Sequence, residues 1–183
     1  AFIQRTVQIE NNLKNILGIN LSPLANRYLN LRKTDEEWIE IWADIITKIF
    51  NTSQFDELYL IPHVVNQLKK NDDDYWYLAE ISHRLEKNNI PTFLVPGGLG
   101  FLGVKKYIMK CKLIFAARMH CAINSITCGV PTIFFAYSQK SFGMCKHVYG
   151  TEKYVLDMNK LIDHYNDEIV CRFINEIDDI KKY

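Results

Sequence analysis

The chain has 183 residues, 48% hydrophobic and 13% aromatic, enough for one full core and too few for two complete domains. Its 22 Lys and Arg against 21 Asp and Glu leave a net charge of +1, which provides no long-range field for nucleic acid or an anionic lipid surface. The longest apolar runs, such as 113–117 and 132–137, are strand-sized, far short of the roughly 20 residues that span a bilayer, so no integral membrane segment is expected.

The first predicted strand is Ile16–Leu21, closed by Ser22-Pro23, and a polar loop follows to about Lys33. Thr34 then reads as an N-cap with Glu37 three residues on, opening a helix in which Trp38, Ile41, Trp42, Ile45, Ile46 and Ile49 recur at helical spacing. A second strand, Leu58–Ile61, ends at Pro62-His63. Helix then begins near Asp73, carries Trp76, Leu78, Ile81 and Leu85, and stops at Asn88-Asn89. A third strand, Thr92–Val95, leads into the glycine-rich stretch 96–103 and a short helix ending near Lys110. The fourth strand, Lys112–Ala117, runs into a helix from about His120 to Cys128, terminated by Gly129 with Pro131 beyond. A fifth strand at Thr132–Ala136, a helix around 141–149, a very short strand at Tyr154-Val155 and one helical tail from Lys160 to Ile180 complete the chain.

Strands alternating with helices imply right-handed βαβ units, so the expected fold is α/β: a Rossmann-like parallel sheet with helices on both faces, one domain over residues 1–183. Ligands of such sheets bind beyond the carboxyl ends of the strands. That directs attention to Asn20–Ser22, His63, Gly97–Gly103, Arg118–His120 and Tyr137–Lys140.

Gly98-Leu-Gly100-Phe-Leu-Gly103 spells G-x-G-x-x-G after a strand. The acid that a dinucleotide site places about 20 residues on is missing, and Arg118-Met119-His120 stands there instead. A tight turn, or a backbone approach to a phosphate or sugar, is the better reading of Gly97 and Gly98, and no cofactor is expected. Arg118 and His120 lie where a buried strand meets a helix N-terminus: a guanidinium fork suited to carboxylate or phosphate, beside a side chain that exchanges protons near neutral pH. The alternative is an arginine paired to a nearby acid and a histidine capped by backbone. His63 and Lys140 are open in the same way, between site residue and solvated side chain. The run Asp72-Asp73-Asp74 is explained by capping rather than by a metal. The five cysteines, Cys111, Cys121, Cys128, Cys145 and Cys171, are odd in number and hold no C-x-x-C pair, which reads as reduced, buried thiols in a cytoplasmic protein. No secretory signal pattern opens the chain, and its start at Ala1 suggests a mature product or an excised domain.

The stretch from Cys111 to Lys140, in which a strand leads into Arg118-Met119-His120, a helix, Gly129-Val-Pro131, a strand, then Tyr137 and Lys140, resembles the polysaccharide pyruvyl transferase family. Gly18–Pro23 and Leu60–His63 resemble that family's other strand ends, so the similarity runs over about residues 16–150. Met119 replaces the usual leucine, Ser138-Gln139 stand where an acid before the lysine is common, and the glycine-rich loop is not a family feature. The resemblance implies the C-terminal half of a two-domain, glycosyltransferase-B-like fold, with an N-terminal partner domain absent from this sequence. It implies transfer of pyruvate from phosphoenolpyruvate, a donor substrate, to hydroxyls of a sugar or lipid-linked oligosaccharide in cell-surface polysaccharide synthesis. Arg118 then matches the anion-binding arginine, His120 the acid–base histidine, and Lys140 a phosphate ligand, with Asn20, Ser22, His63, Gly97 and Gly98 around the substrate. By that reading the isolated domain binds ligand without turnover. Two other functions remain open: the nucleotide-sugar domain of a glycosyltransferase, and a non-catalytic sugar- or partner-binding domain.

Overall fold

The computed structural model describes residues 14–180; residues 1–13 and 181–183 of the expected domain lie outside the described part. Strand β1 is Ile16–Asn20, ending one residue before the predicted boundary. Helix α1, Asp35–Thr52, starts as the capping box predicts: the Thr34 hydroxyl accepts from the Glu37 N–H at 3.2 Å and the Glu37 carboxylate accepts from the Thr34 N–H at 2.8 Å. Its buried stripe includes Trp38, Trp42, Ile45, Ile46 and Ile49, with Ile41 half-buried beside it. Strand β2 is Glu57–Leu60 and helix α2 Asp74–Lys87, whose N-cap Asp73 accepts from the N–H groups of Tyr75 and Trp76. There follow β3 (Thr92–Leu94), α3 (Gly100–Ile108), β4 (Cys111–Ala116), α4 (Met119–Thr127), β5 (Thr132–Ala136), α5 (Gln139–Tyr149) and β6 (Val155–Asp157).

Two sequence expectations change. The single helical tail is three helices, α6 (Met158–Asp163), α7 (Asp167–Asn175) and α8 (Ile177–Ile180). The cause is local for the first two: the Asp157 carboxylate caps the N–H groups of Asn159 and Lys160, and Asn166 caps Glu168, so α6 and α7 are each started afresh. The loop after β1 is not purely polar either. It holds a 3-10 turn, Ala25–Tyr28, whose buried Asn26 accepts from the Trp42 indole at 3.2 Å and donates to the Tyr77 hydroxyl at 3.0 Å, tying the turn to α1 and α2.

The strands form one six-stranded sheet in the order β3-β2-β1-β4-β5-β6, every pairing parallel, which is a Rossmann-like α/β fold with helices packed around it. Right-handed crossovers in this order put α1 and α2 on one face and α4 and α5 on the other. α1 packs on α2 and α7, and α3 on α4. Of the central strands, β1 and β5 are buried at every residue and β4 at all but Lys112, as a sheet covered on both faces requires. Gly18 in β1 is there for space: a Cβ would come within 2.7 Å of Ile114 Cγ1 and 3.0 Å of Ile61 Cδ1. The chain order reverses between β1 and β4, and the carboxyl ends of these strands open the crevice where ligands of this fold bind. No helix among the described residues is long and apolar enough to cross a membrane. The cysteines carry free thiols; Cys111, Cys121 and Cys145 are buried, and burial pushes Cys111 up to about 12 and Cys145 up to about 11.

Candidate active site

A cleft of about 550 Å³ lies at the carboxyl edge of the sheet, walled by the segments after β2 (Pro62–Val65), after β3 (Pro96, Gly98–Gly100) and after β4 (Arg118, His120), with Phe101, Val104 and Ile123 from α3 and α4. Three separate strand ends thus bring His63, Gly98, Arg118 and His120 together. The apolar wall is matched by a polar end that carries two imidazoles and a guanidinium.

Arg118 is the N-cap of α4, with extended backbone and no side-chain cap, so the helix's first N–H groups face the strand end uncovered. Its own N–H is held by the Asn20 side chain at 2.8 Å, while the Asn20 amide donates to the Ile61 carbonyl at 2.8 Å. Asn20 is wholly buried. It pins the end of β1, the end of β2 and the start of α4 to one another, at the point where the strand order reverses.

The Arg118 side chain is paired to acids, the alternative that its position left open. Nε and Nη2 lie 3.1 and 2.9 Å from Asp74 Oδ1, a forked contact, and Nη2 lies 2.6 Å from Asp72 Oδ1. Asp74 is fully buried, and its Oδ2 also accepts from the N–H groups of His63 and Val64, at 3.2 and 3.1 Å. Burial raises the Asp74 carboxyl from its ordinary value; Arg118 and the two backbone N–H groups oppose that rise. Burial likewise opposes the Arg118 charge, but Asp74 and Asp72 more than offset it and raise the guanidinium further. Asp74 is therefore the hub that fixes both the arginine and the loop carrying His63. Capping accounts for Asp73 alone of the aspartate run; three consecutive acids where one suffices is the signal that Asp72 and Asp74 have other partners.

His63 lines the same cleft as Arg118 and His120. Burial, then the charges of His120 and Arg118, push it down to about 4, so it is neutral at physiological pH, and its Nδ1 is buried with no partner among the described residues. His120, in the first turn of α4, is solvent-exposed at the cleft.

Other expected site residues lie elsewhere. Asn20 and Ser22 do not line the cleft: both are buried, and the Ser22 hydroxyl accepts from the Leu24 N–H at 3.2 Å in a local turn. Gly97 packs against Tyr75 and Val65 behind the lining, where a Cβ would come within 3.0 Å of the Tyr75 ring. Lys140 is exposed on the first turn of α5 and is not part of the cleft wall, because α5 starts at Gln139, beyond β5 and away from β2 and β3. Of the glycine motif, Gly98 and Gly100 take positive φ, 75° and 65°, and turn the chain into α3, while Gly103 is inside the helix. No group of three His, Cys, Asp or Glu able to hold a metal occurs among the described residues.

A family model described as polysaccharide pyruvyl transferase matches residues 7–139, a span that takes in the whole cleft. Neither the curated proteins nor the solved structures contain a match.

Proposed function

The chain belongs to the polysaccharide pyruvyl transferase family, and from that premise we propose that it is the domain that binds phosphoenolpyruvate for transfer of pyruvate to the hydroxyls of a sugar acceptor, in cytoplasmic synthesis of a cell-surface polysaccharide. The observation that carries the reading is the convergence of Arg118, His120 and His63 on one cleft, from two strand ends that the fold brings together.

The chemistry requires a cationic grip on carboxylate and phosphate, a proton for the methylene carbon of the donor, and acceptance of protons from two hydroxyls as the ketal closes and phosphate leaves. Arg118, oriented by Asp74, supplies the grip; Nη1 is uncommitted among the described residues and the α4 N–H groups add partial positive charge beside it. His120, open to the cleft, exchanges the proton. His63, held neutral, offers a ring nitrogen that orients the acceptor hydroxyl. The apolar wall of Val65, Leu99, Phe101, Val104 and Ile123 excludes water and leaves room beside the donor for a sugar. A glycosyltransferase-B-like partner domain completes the site, so this chain alone binds the donor without turnover.

Thermal stability with millimolar phosphoenolpyruvate, phosphate or a uridine-diphosphate sugar, on this chain and on Arg118→Ala, tests the proposal. Phosphoenolpyruvate is expected to raise Tm most, and the substitution to remove the shift. Absence of a selective shift refutes the assignment. One observation favours a second reading: α3 begins at the cleft through Gly98-Leu99-Gly100, a helix N-terminus fit for a diphosphate. Selective stabilisation by the nucleotide sugar would establish that reading instead.

A further inference from the structure

Arg118 is held by two carboxylates of different character. Asp74 is 0% exposed and anchored by the backbone of residues 63 and 64, whereas the Asp72 side chain is 38% exposed, on the last residue of the 3-10 turn Lys70–Asp72. The Asp72 carboxylate makes one hydrogen bond among the described residues, to Arg118 Nη2 at 2.6 Å. One carboxylate builds the guanidinium into the fold; the other, more exposed, takes Nη2 at the distance that a ligand carboxylate or phosphate oxygen would adopt.

We propose that Asp72 is an internal competitor for the anion site: its carboxylate holds Nη2 of Arg118, a residue of the cleft wall, and an incoming phosphate or carboxylate displaces it. The proposal rests on the reading of Arg118 as the anion-binding residue. A partly exposed ion pair on a short turn contributes little and yields readily, while the forked, buried contact to Asp74 keeps the guanidinium in position throughout. The consequence is a guanidinium whose Nη1 is uncommitted among the described residues and whose Nη2 is given up only to a ligand with enough charge to replace a carboxylate. Asp72 thereby sets the anion selectivity of the pocket, and Asp74 its geometry.

The two acids then act in opposite directions on the same arginine. Calorimetric titration of this chain with inorganic phosphate and with phosphoenolpyruvate, at fixed pH, measures this. Asp72→Asn and Asp72→Ala are expected to tighten binding of either anion by about three- to fivefold, the size of one partly exposed ion pair. Asp74→Asn is expected to weaken it, and Arg118→Ala in the Asp72→Asn background to abolish it. Salt weakens a partly exposed pair, so the gain is expected to be largest at low ionic strength. Arg118-dependent binding by the wild type that Asp72→Asn leaves equal or weaker overturns the proposal and leaves the donor site standing. Failure of both wild type and Asp72→Asn to bind either anion overturns the proposal together with the functional reading beneath it.

Discussion

Replacement of Asn20 tests the claim that one buried amide ties the switch point of the sheet to the segment that carries Arg118 and His120. Its side chain satisfies the Ile61 carbonyl and the Arg118 N–H, both at 2.8 Å, from a fully buried position. Asn20→Leu keeps the branched shape and removes both bonds. Each backbone group orphaned in the interior costs about 1–3 kcal/mol, so two cost about 4 kcal/mol. At about 2–4 °C per kcal/mol for a chain of this size, Tm falls by about 8–16 °C. Asn20→Asp sharpens the test through pH. Protonated, the carboxyl still donates to Ile61 and accepts from Arg118; ionised, it turns a charge without a donor toward the Ile61 carbonyl. The folded state therefore holds that proton more tightly than the unfolded chain, whose carboxyl titrates near about 4. The folded pKa is raised, the unfolded chain binds fewer protons, and stability falls as pH rises above that value. Urea unfolding at pH 4.5 and pH 8 reads this directly: Asn20→Asp is expected near wild type in acid and well below it at pH 8. A pH dependence parallel to wild type, or a loss below about 1 kcal/mol in Asn20→Leu, refutes the bridging role.

Three further outcomes follow from the geometry. His63 is pushed down to about 4 in the fold against an ordinary value of 6.5, so the unfolded chain takes up a proton that the folded one refuses, and up to about 3 kcal/mol of stability is lost as pH falls from about 6.5 to 4; His63→Gln, compared in urea midpoint across that range, should flatten the slope, and an unchanged slope refutes the buried neutral imidazole. Asp74→Ala breaks a buried pair and frees two backbone N–H groups, costing about 3–5 kcal/mol, whereas Asp72→Ala costs under about 1 kcal/mol; equal losses in thermal unfolding contradict the division between the two acids. Gly18→Ala forces Ile114, Ile61 and Cys111 apart in the central sheet and is expected to cost about 1–3 kcal/mol; a neutral result means that β1 gives way more easily than its packing indicates.

The amino-acid sequence by itself determined the alternation of strand and helix, and with it the parallel sheet, because hydrophobic period, N-caps and terminating glycines are local signals carried within a few residues of one another. Thr34 with Glu37 announces α1, and Gly129, with φ 73°, ends α4 as its position foretells. The same locality marked the strand ends as the place for a ligand, and Arg118-Met119-His120 as the segment to watch. Where a local signal is double-valued the elements differ from the pattern: Asn166 lies inside a tail that reads as one helix, and its side chain caps α7 and starts a new element there. Only the tertiary structure decided which strand ends meet. With the order β3-β2-β1-β4-β5-β6, the cleft is walled by the loops after β3, β2 and β4, and the loop after β5 lies on the far side of β4 from the other two, so His63 reaches the cleft and Lys140 does not. The partners of Arg118 are likewise a matter of tertiary structure, for Asp72, Asp74 and Asn20 stand 46, 44 and 98 residues away in the chain. No periodicity or spacing reports an ion pair over such separations; the crossover connections place the acids beside the arginine, and burial then decides which of them is structural and which a ligand can move.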